Sequence, residues 1–143
     1  MTFAVLMLLS CKSTDKTTSN PTLNNVGPDT VWVLKSIKNK LMAFNEFERL
    51  VTISFNPETG QVSGCAGCNR YSAAYREPKS GKLEFDPIIA TKMACPQLMM
   101  ETERMYISAL NKINGYVIAN DTLKLLQDEN ILLTFEKQTE DTK

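Results

Sequence analysis

The sequence predicts an α+β domain: a curved, largely antiparallel sheet or half-barrel with one main α-helix packed against it. Three observations lead there. Short apolar runs with period-two alternation recur along the chain, as in Leu50-Val51-Thr52-Ile53-Ser54-Phe55. They are separated by turn chemistry of hairpin length, such as Asn56-Pro57-Glu58-Thr59-Gly60 and Asn120-Asp121, which favours antiparallel neighbours. Only the stretch between Pro96 and Gly115 carries a helical period.

The elements follow in order. Val31 to Ile37 is β-branched and aromatic and reads as a strand, with Trp32 as a core anchor. Asn39-Lys40 turns into a weaker strand around Leu41 to Phe44. The alternation of the next strand puts Val51, Ile53 and Phe55 on one face. Gln61-Val62-Ser63 returns as its hairpin partner and delivers the chain into a loop, Gly64-Cys65-Ala66-Gly67-Cys68-Asn69-Arg70-Tyr71. Tyr71 to Tyr75 and Leu83 to Phe85 are further strands, and Ile88-Ile89-Ala90 leads into a second loop that carries Cys95. Pro96 suits the start of a helix, where its missing amide proton is not needed. Met99, Glu103, Tyr106, Leu110 and Ile113 then step by four, three, four and three, with Met100 and Ile107 alongside. That spacing predicts a helix of about four turns, ending at Asn114 and stopped by Gly115. Strands at Tyr116 to Ala119, Leu123 to Leu126 and Ile131 to Phe135 close the domain.

The N-terminus reads as an address. Phe3-Ala4-Val5-Leu6-Met7-Leu8-Leu9 is too short to span a bilayer and ends at Ser10-Cys11. Leu8-Leu9-Ser10-Cys11 resembles a bacterial lipobox, which implies diacylation of Cys11, removal of residues 1–10, and a membrane partner through that anchor. No basic residue precedes the apolar run, so the leader is expected to begin upstream of Met1. Residues 11–29, rich in Ser, Thr, Asn and Lys, are expected to form a flexible tether. The folded domain is placed at 30–136 and a polar tail at 137–143.

Composition narrows the function classes. With 16 basic and 16 acidic residues the formal net charge is zero, which gives no electrostatic basis for capturing nucleic acid. The chain has no histidine. That removes Ser-His-Asp and Cys-His catalysis and histidine-based zinc sites. No complete catalytic set remains, no cofactor is implied, and the expected protein is not an enzyme.

Trp32 with Leu34, Gly64 and Gly67-Cys68-Asn69-Arg70-Tyr71, Ala90-Thr91-Lys92-Met93-Ala94-Cys95-Pro96, and Glu101 and Glu103 with Leu110 occur together in this order. In order and spacing they resemble the META domain family, of HslJ-like envelope lipoproteins, over about Thr30 to Phe135. The resemblance implies a curved antiparallel sheet with a helix against it and no established catalytic activity. It also implies a setting of envelope stress or drug tolerance. The family pattern centres on the cysteine of Gly-Cys-Asn, here Cys68, and Cys65 is an addition to it.

The cysteines allow two readings. Cys65-x-x-Cys68 invites thiol–disulfide chemistry, but Gly64, Gly67 and Asn69 predict a turn rather than the helix start that lowers a thiol pKa. Three cysteines without histidine also make a poor zinc site. In an oxidising envelope a structural disulfide between the two loops is the plainer reading, with Cys68–Cys95 preferred over Cys65–Cys95. Glu103 lies on the apolar stripe. It is either a solvent-reaching edge residue or a buried carboxylate held by Arg70, Tyr71 or loop amides, and Asn69, Arg70, Tyr71 and Glu103 are the candidate recognition or buried polar cluster. Glu101 and Glu103 do not form a catalytic pair, because residues two apart on a helix face apart. Met93, Met99, Met100 and Met105 gather around the helix and read as core filling. The resulting expectation is an envelope-anchored binding or stress-protection module whose partner is a hydrophobic peptide, a lipid or an envelope protein. A redox protein using Cys65 and Cys68 is the alternative.

Overall fold

The computed structural model describes residues 22–42 and 49–139. Cys11 and most of the expected tether lie outside the described residues, as do Phe44 at the end of the expected second strand and residues 140–143 of the tail.

The strands are β1 (Trp32–Ile37), β2 (Lys40–Leu41), β3 (Thr52–Asn56), β4 (Gln61–Cys65), β5 (Arg70–Arg76), β6 (Glu84–Phe85) and β7 (Ile89–Ala90). Helix α1 (Gln97–Leu110) follows, and then β8 (Gly115–Ala119), β9 (Thr122–Gln127) and β10 (Asn130–Lys137). The ten-stranded sheet runs β6-β5-β4-β3-β1-β10-β9-β8, with β2 beside β1 and β7 beside β5. Every pairing is antiparallel. Its two ends meet: Lys82 bridges Gly115, the Tyr116 amide donates to the Gly81 carbonyl at 3.1 Å, and the Leu83 amide to Asn114 at 3.3 Å. The predicted curved antiparallel sheet is therefore a nearly closed half-barrel, with the predicted single helix against it.

Period-two burial explains the closure. Val51, Ile53 and Phe55 are each 0% exposed, while Thr52 and Ser54 between them are half-buried. Two bulges let the sheet curl, one in the β1–β10 ladder between Leu34 and Ser36, the other in β9–β10 between Ile131 and Leu133. The second also explains why the consecutive residues Leu132 and Leu133 are both buried. Trp32 is buried as expected.

The helix departs from its predicted bounds. Pro96 is the cap rather than the first helical residue, and α1 stops at Leu110 instead of Asn114. Ile113 is buried, but it reaches the core through a tightened turn in which its amide bonds to the Leu110 carbonyl at 3.1 Å. Gly115 opens β8 rather than ending the helix. The buried stripe is also rotated: Met99, Thr102, Tyr106, Ala109 and Leu110 face inward, and Met100 is exposed. Only Met99 of the four clustered methionines fills core; Met93 and Met105 are exposed too.

Order also begins earlier than residue 30. Leu23–Asn25 forms a 3-10 turn, and Leu23 is 0% exposed within the core. Its amide donates to the Tyr116 hydroxyl at 3.3 Å, and that hydroxyl donates in turn to Glu77. One apolar side chain in a polar tract thus converts the end of the expected tether into part of the domain, because burying a leucine contributes about 1.5–3 kcal/mol. At the other end β10 runs through Lys137, whose amide bonds to the Asp121 carbonyl at 2.8 Å, and Gln138 bonds to Val31 at 2.8 Å. The predicted tail therefore starts late as well.

Candidate functional site

The β4–β5 hairpin places the first half of the site. At Gly64 a β-carbon would lie 2.0 Å from the Thr52 carbonyl oxygen and 2.9 Å from the Tyr71 hydroxyl, so only glycine lets β4 approach β3 this closely. The strand then continues through Cys65, which pairs with Arg70. Residues 66–69 turn the chain, with Gly67 at φ 102° in the left-handed region. This turn leaves Asn69 buried at 4% exposure.

Asn69 joins three segments. Its backbone amide donates to Glu103 Oε2 at 2.8 Å, and its Nδ2 donates to Oε1 and Oε2 of the same carboxylate at 2.9 and 3.1 Å. Its Oδ1 accepts from Thr91 Oγ1 at 2.9 Å and from the Met93 amide at 2.7 Å. A carboxylate on one side and an N–H on the other leave a single orientation for the side-chain amide. The adjacent residue completes the corner: Cys68 is bonded to Cys95, 27 residues on. Together these contacts fix the 91–95 segment between the hairpin and the start of α1.

That corner shapes an open groove of about 810 Å³ between α1 and the 88–92 segment. Ile88, Ala90 and Ile107 give it apolar walls; Lys92, Arg104 and Lys112 stand around it. Glu103 also lines it, with its carboxylate already held by Asn69.

The predicted polar cluster is divided by the structure. Asn69 and Glu103 come together, and Glu103 is half-buried, held by one loop amide and one side-chain amide. Arg70 does not reach it: its side chain is exposed, because alternation along β5 turns residue 70 outward. Tyr71 turns inward to a different partner. Its hydroxyl lies 2.6 Å from that of Tyr106 and 2.9 Å from the Thr52 carbonyl, to which it donates, so Tyr106 is the donor in the tyrosine pair. Burial pushes the pKa of both phenols above the ordinary range, more than the hydrogen bond from Tyr106 lowers that of Tyr71.

Among the described residues Cys65 is the free thiol, half-buried in a small recess of about 280 Å³ with Thr52, Ser63 and Tyr71. The expected alternative of a Cys65–Cys68 redox pair is not what the fold holds, since Cys68 is bonded to Cys95. Among the described residues no group of three or more Cys, Asp and Glu is placed to hold a metal ion. No described helix is long and apolar enough to cross a membrane. Sequence reading missed the groove. Its signal was present as Arg104, Ser108 and Lys112, four apart, but a stripe of solvated side chains looks the same whether or not a second wall stands opposite.

Comparison with known proteins agrees with this architecture. The META domain family matches residues 23–140. An NMR structure of a protein from Burkholderia xenovorans is similar over 95% of this chain and 100% of its own, with 26% identity and a TM-score of 0.67. A second NMR structure is 23% identical, with a TM-score of 0.61 over 79% of this chain and 92% of its own. A crystal structure of a DUF4847 family protein from Bacteroides vulgatus shares the fold at 12% identity and a TM-score of 0.57, covering 80% of this chain and 96% of that one. No match is found among curated proteins. The family match includes Leu23 and the Asn69–Glu103 corner, and the chain belongs to the META domain family.

Proposed function

We propose that this chain is a non-enzymatic binding module, held at the bacterial cell envelope by a lipid on Cys11, that takes an apolar ligand in the groove between α1 and the 88–92 segment. The groove carries the reading. Its volume of about 810 Å³ is within the range of small-molecule sites, and apolar walls with a few polar groups at the edge are what such sites present. The disulfide and the Asn69 contacts fix one wall, so the site is preformed and little ordering entropy opposes binding. The histidine-free sequence supports binding rather than catalysis. The lipobox-like Leu8-Leu9-Ser10-Cys11 supports the anchor, and a role in envelope stress or drug tolerance fits the family.

The test has two parts. The neutral dye Nile red should brighten saturably on the protein, and Ala90→Phe, which fills the groove, should reduce that signal at least fivefold. In cells, Cys11→Ala should move the protein from the membrane to the soluble fraction. A dye signal indifferent to Ala90→Phe would overturn the groove, and continued membrane association would overturn the anchor.

A further inference from the structure

Three of the residues that line this groove also line a second hollow. On the other side of α1 lies a recess of about 320 Å³ formed by Ile37, Lys38, Met105 and Ala109, and it shares Arg104, Ser108 and Lys112 with the first. These three positions are four residues apart, so they stack along one face as a ridge between two apolar hollows. Lys38 stands on one flank and Lys92 on the other. None of the four cations forms an ion pair among the described residues. Among the described residues the only acid in either lining is Glu103, engaged by Asn69. In a chain of zero formal net charge this is a local concentration of positive charge.

Resting on the binding reading above, we infer that the groove takes an anionic lipid, with its phosphate on the Arg104–Ser108–Lys112 ridge and an acyl chain along Ile88, Ala90 and Ile107. The ridge supplies two cations and a hydroxyl donor, which suits a phosphate oxygen set. Each methylene removed from water contributes about 0.8 kcal/mol, so a chain of modest length gives useful affinity. An extended peptide fits less well. It would gain most from backbone pairing along a free edge, and β7, the strand beside the groove, is two residues long.

The experiment uses the full chain carrying Cys11→Ser, with Nile red displaced by dodecyl phosphate below its micelle threshold. Dodecyl maltoside is the neutral counterpart and inorganic phosphate the head alone. Dodecyl phosphate should displace the dye at a concentration at least tenfold lower than dodecyl maltoside, and inorganic phosphate should not displace it. Arg104→Glu with Lys112→Glu should weaken dodecyl phosphate at least tenfold more than it weakens the maltoside. Should that double variant fail to fold, Lys92→Glu on the opposite wall must weaken dodecyl phosphate alone by at least threefold. Equal displacement by charged and neutral amphiphiles, or no response to charge reversal, overturns the inference and leaves the apolar binding site standing. Displacement by inorganic phosphate overturns the acyl-chain assignment. If the dye never binds, both the inference and the binding module fall.

Discussion

Two polar contacts tie the β4–β5 hairpin to α1, and they differ in kind. Asn69 and Tyr71 are two apart on one side of the hairpin; Glu103 and Tyr106 are three apart on the helix. Each element's own period therefore brings two pairs into register. At the rim, a half-buried carboxylate is held by three hydrogen bonds from one asparagine. Deeper in, two buried hydroxyls share one short bond and end on a backbone carbonyl. The rim contact carries charge where water still reaches, and the inner contact is neutral where water does not. The comparison teaches that depth selects the chemistry and that satisfied polar groups can seat a helix at both depths.

Three experiments would sharpen or break that contrast. The largest effect is expected at the disulfide beside the rim contact. Closing a loop of 27 residues' separation constrains the unfolded chain by about 3–4 kcal/mol. Cys68→Ala, Cys95→Ala and the double variant should therefore each lose about that amount in oxidising denaturant melts. Hydrogen exchange should show Asn69 losing protection before the amides around Tyr71. Loss of protection at both depths together would show that the two contacts are one unit.

Next comes Asn69→Ala, which leaves the Glu103 carboxylate short of donors and the Met93 amide short of its acceptor. A loss of about 2–4 kcal/mol is expected, since a hydrogen bond to a charged group contributes about 1.5–3 kcal/mol and the bond to the Met93 amide is lost with it. Urea melts measure it; a loss below about 1 kcal/mol would make the rim contact incidental.

Tyr106→Phe should be the mildest at neutral pH, at about 1 kcal/mol, because Tyr71 keeps its bond to the Thr52 carbonyl. The inner pair should show itself in alkali. With the folded pKa of each phenol raised, the unfolded chain releases protons first, so stability is intact below pH of about 10 and falls as pH rises beyond it. Each tyrosine contributes about 1.4 kcal/mol per pH unit to that fall. Burial raises Tyr75 and Tyr116 as well, so Tyr106→Phe should remove about a quarter of the slope seen between pH 10 and 11. An unchanged slope would mean that the pair is not the alkaline weak point.

Much of this was legible in advance because it is local. Strand alternation at Val51, Ile53 and Phe55, the hairpin turn at 56–60 and the helical run after Pro96 each follow from the geometry of a few neighbouring residues. Leu23 was misread because a lone apolar residue in a polar tract has no period to announce it. Gly115 was misread for a related reason: a glycine after a helical run ends the helix or opens the next strand with equal local logic, and only pairing with β9 decides. Arg70 was grouped with Asn69 by adjacency, but a strand sends neighbours to opposite faces. Tyr71 shares the side of Asn69 yet meets Tyr106, further along the helix than Glu103.

By itself, the sequence determined what short-range chemistry determines: the strands and turns, one helix, a cysteine corner, and the exclusion of imidazole catalysis. The tertiary structure decided which groups separated by long loops come together. It bonded Cys68 to Cys95 and left Cys65 free. It gave the Glu103 carboxylate to Asn69 and the Tyr71 hydroxyl to Tyr106, and it set a basic helix ridge between two apolar hollows. Those outcomes depend on how far the sheet curls and how the helix rotates against it. Both are settled by the packing of the whole core, which no local stretch of sequence encodes.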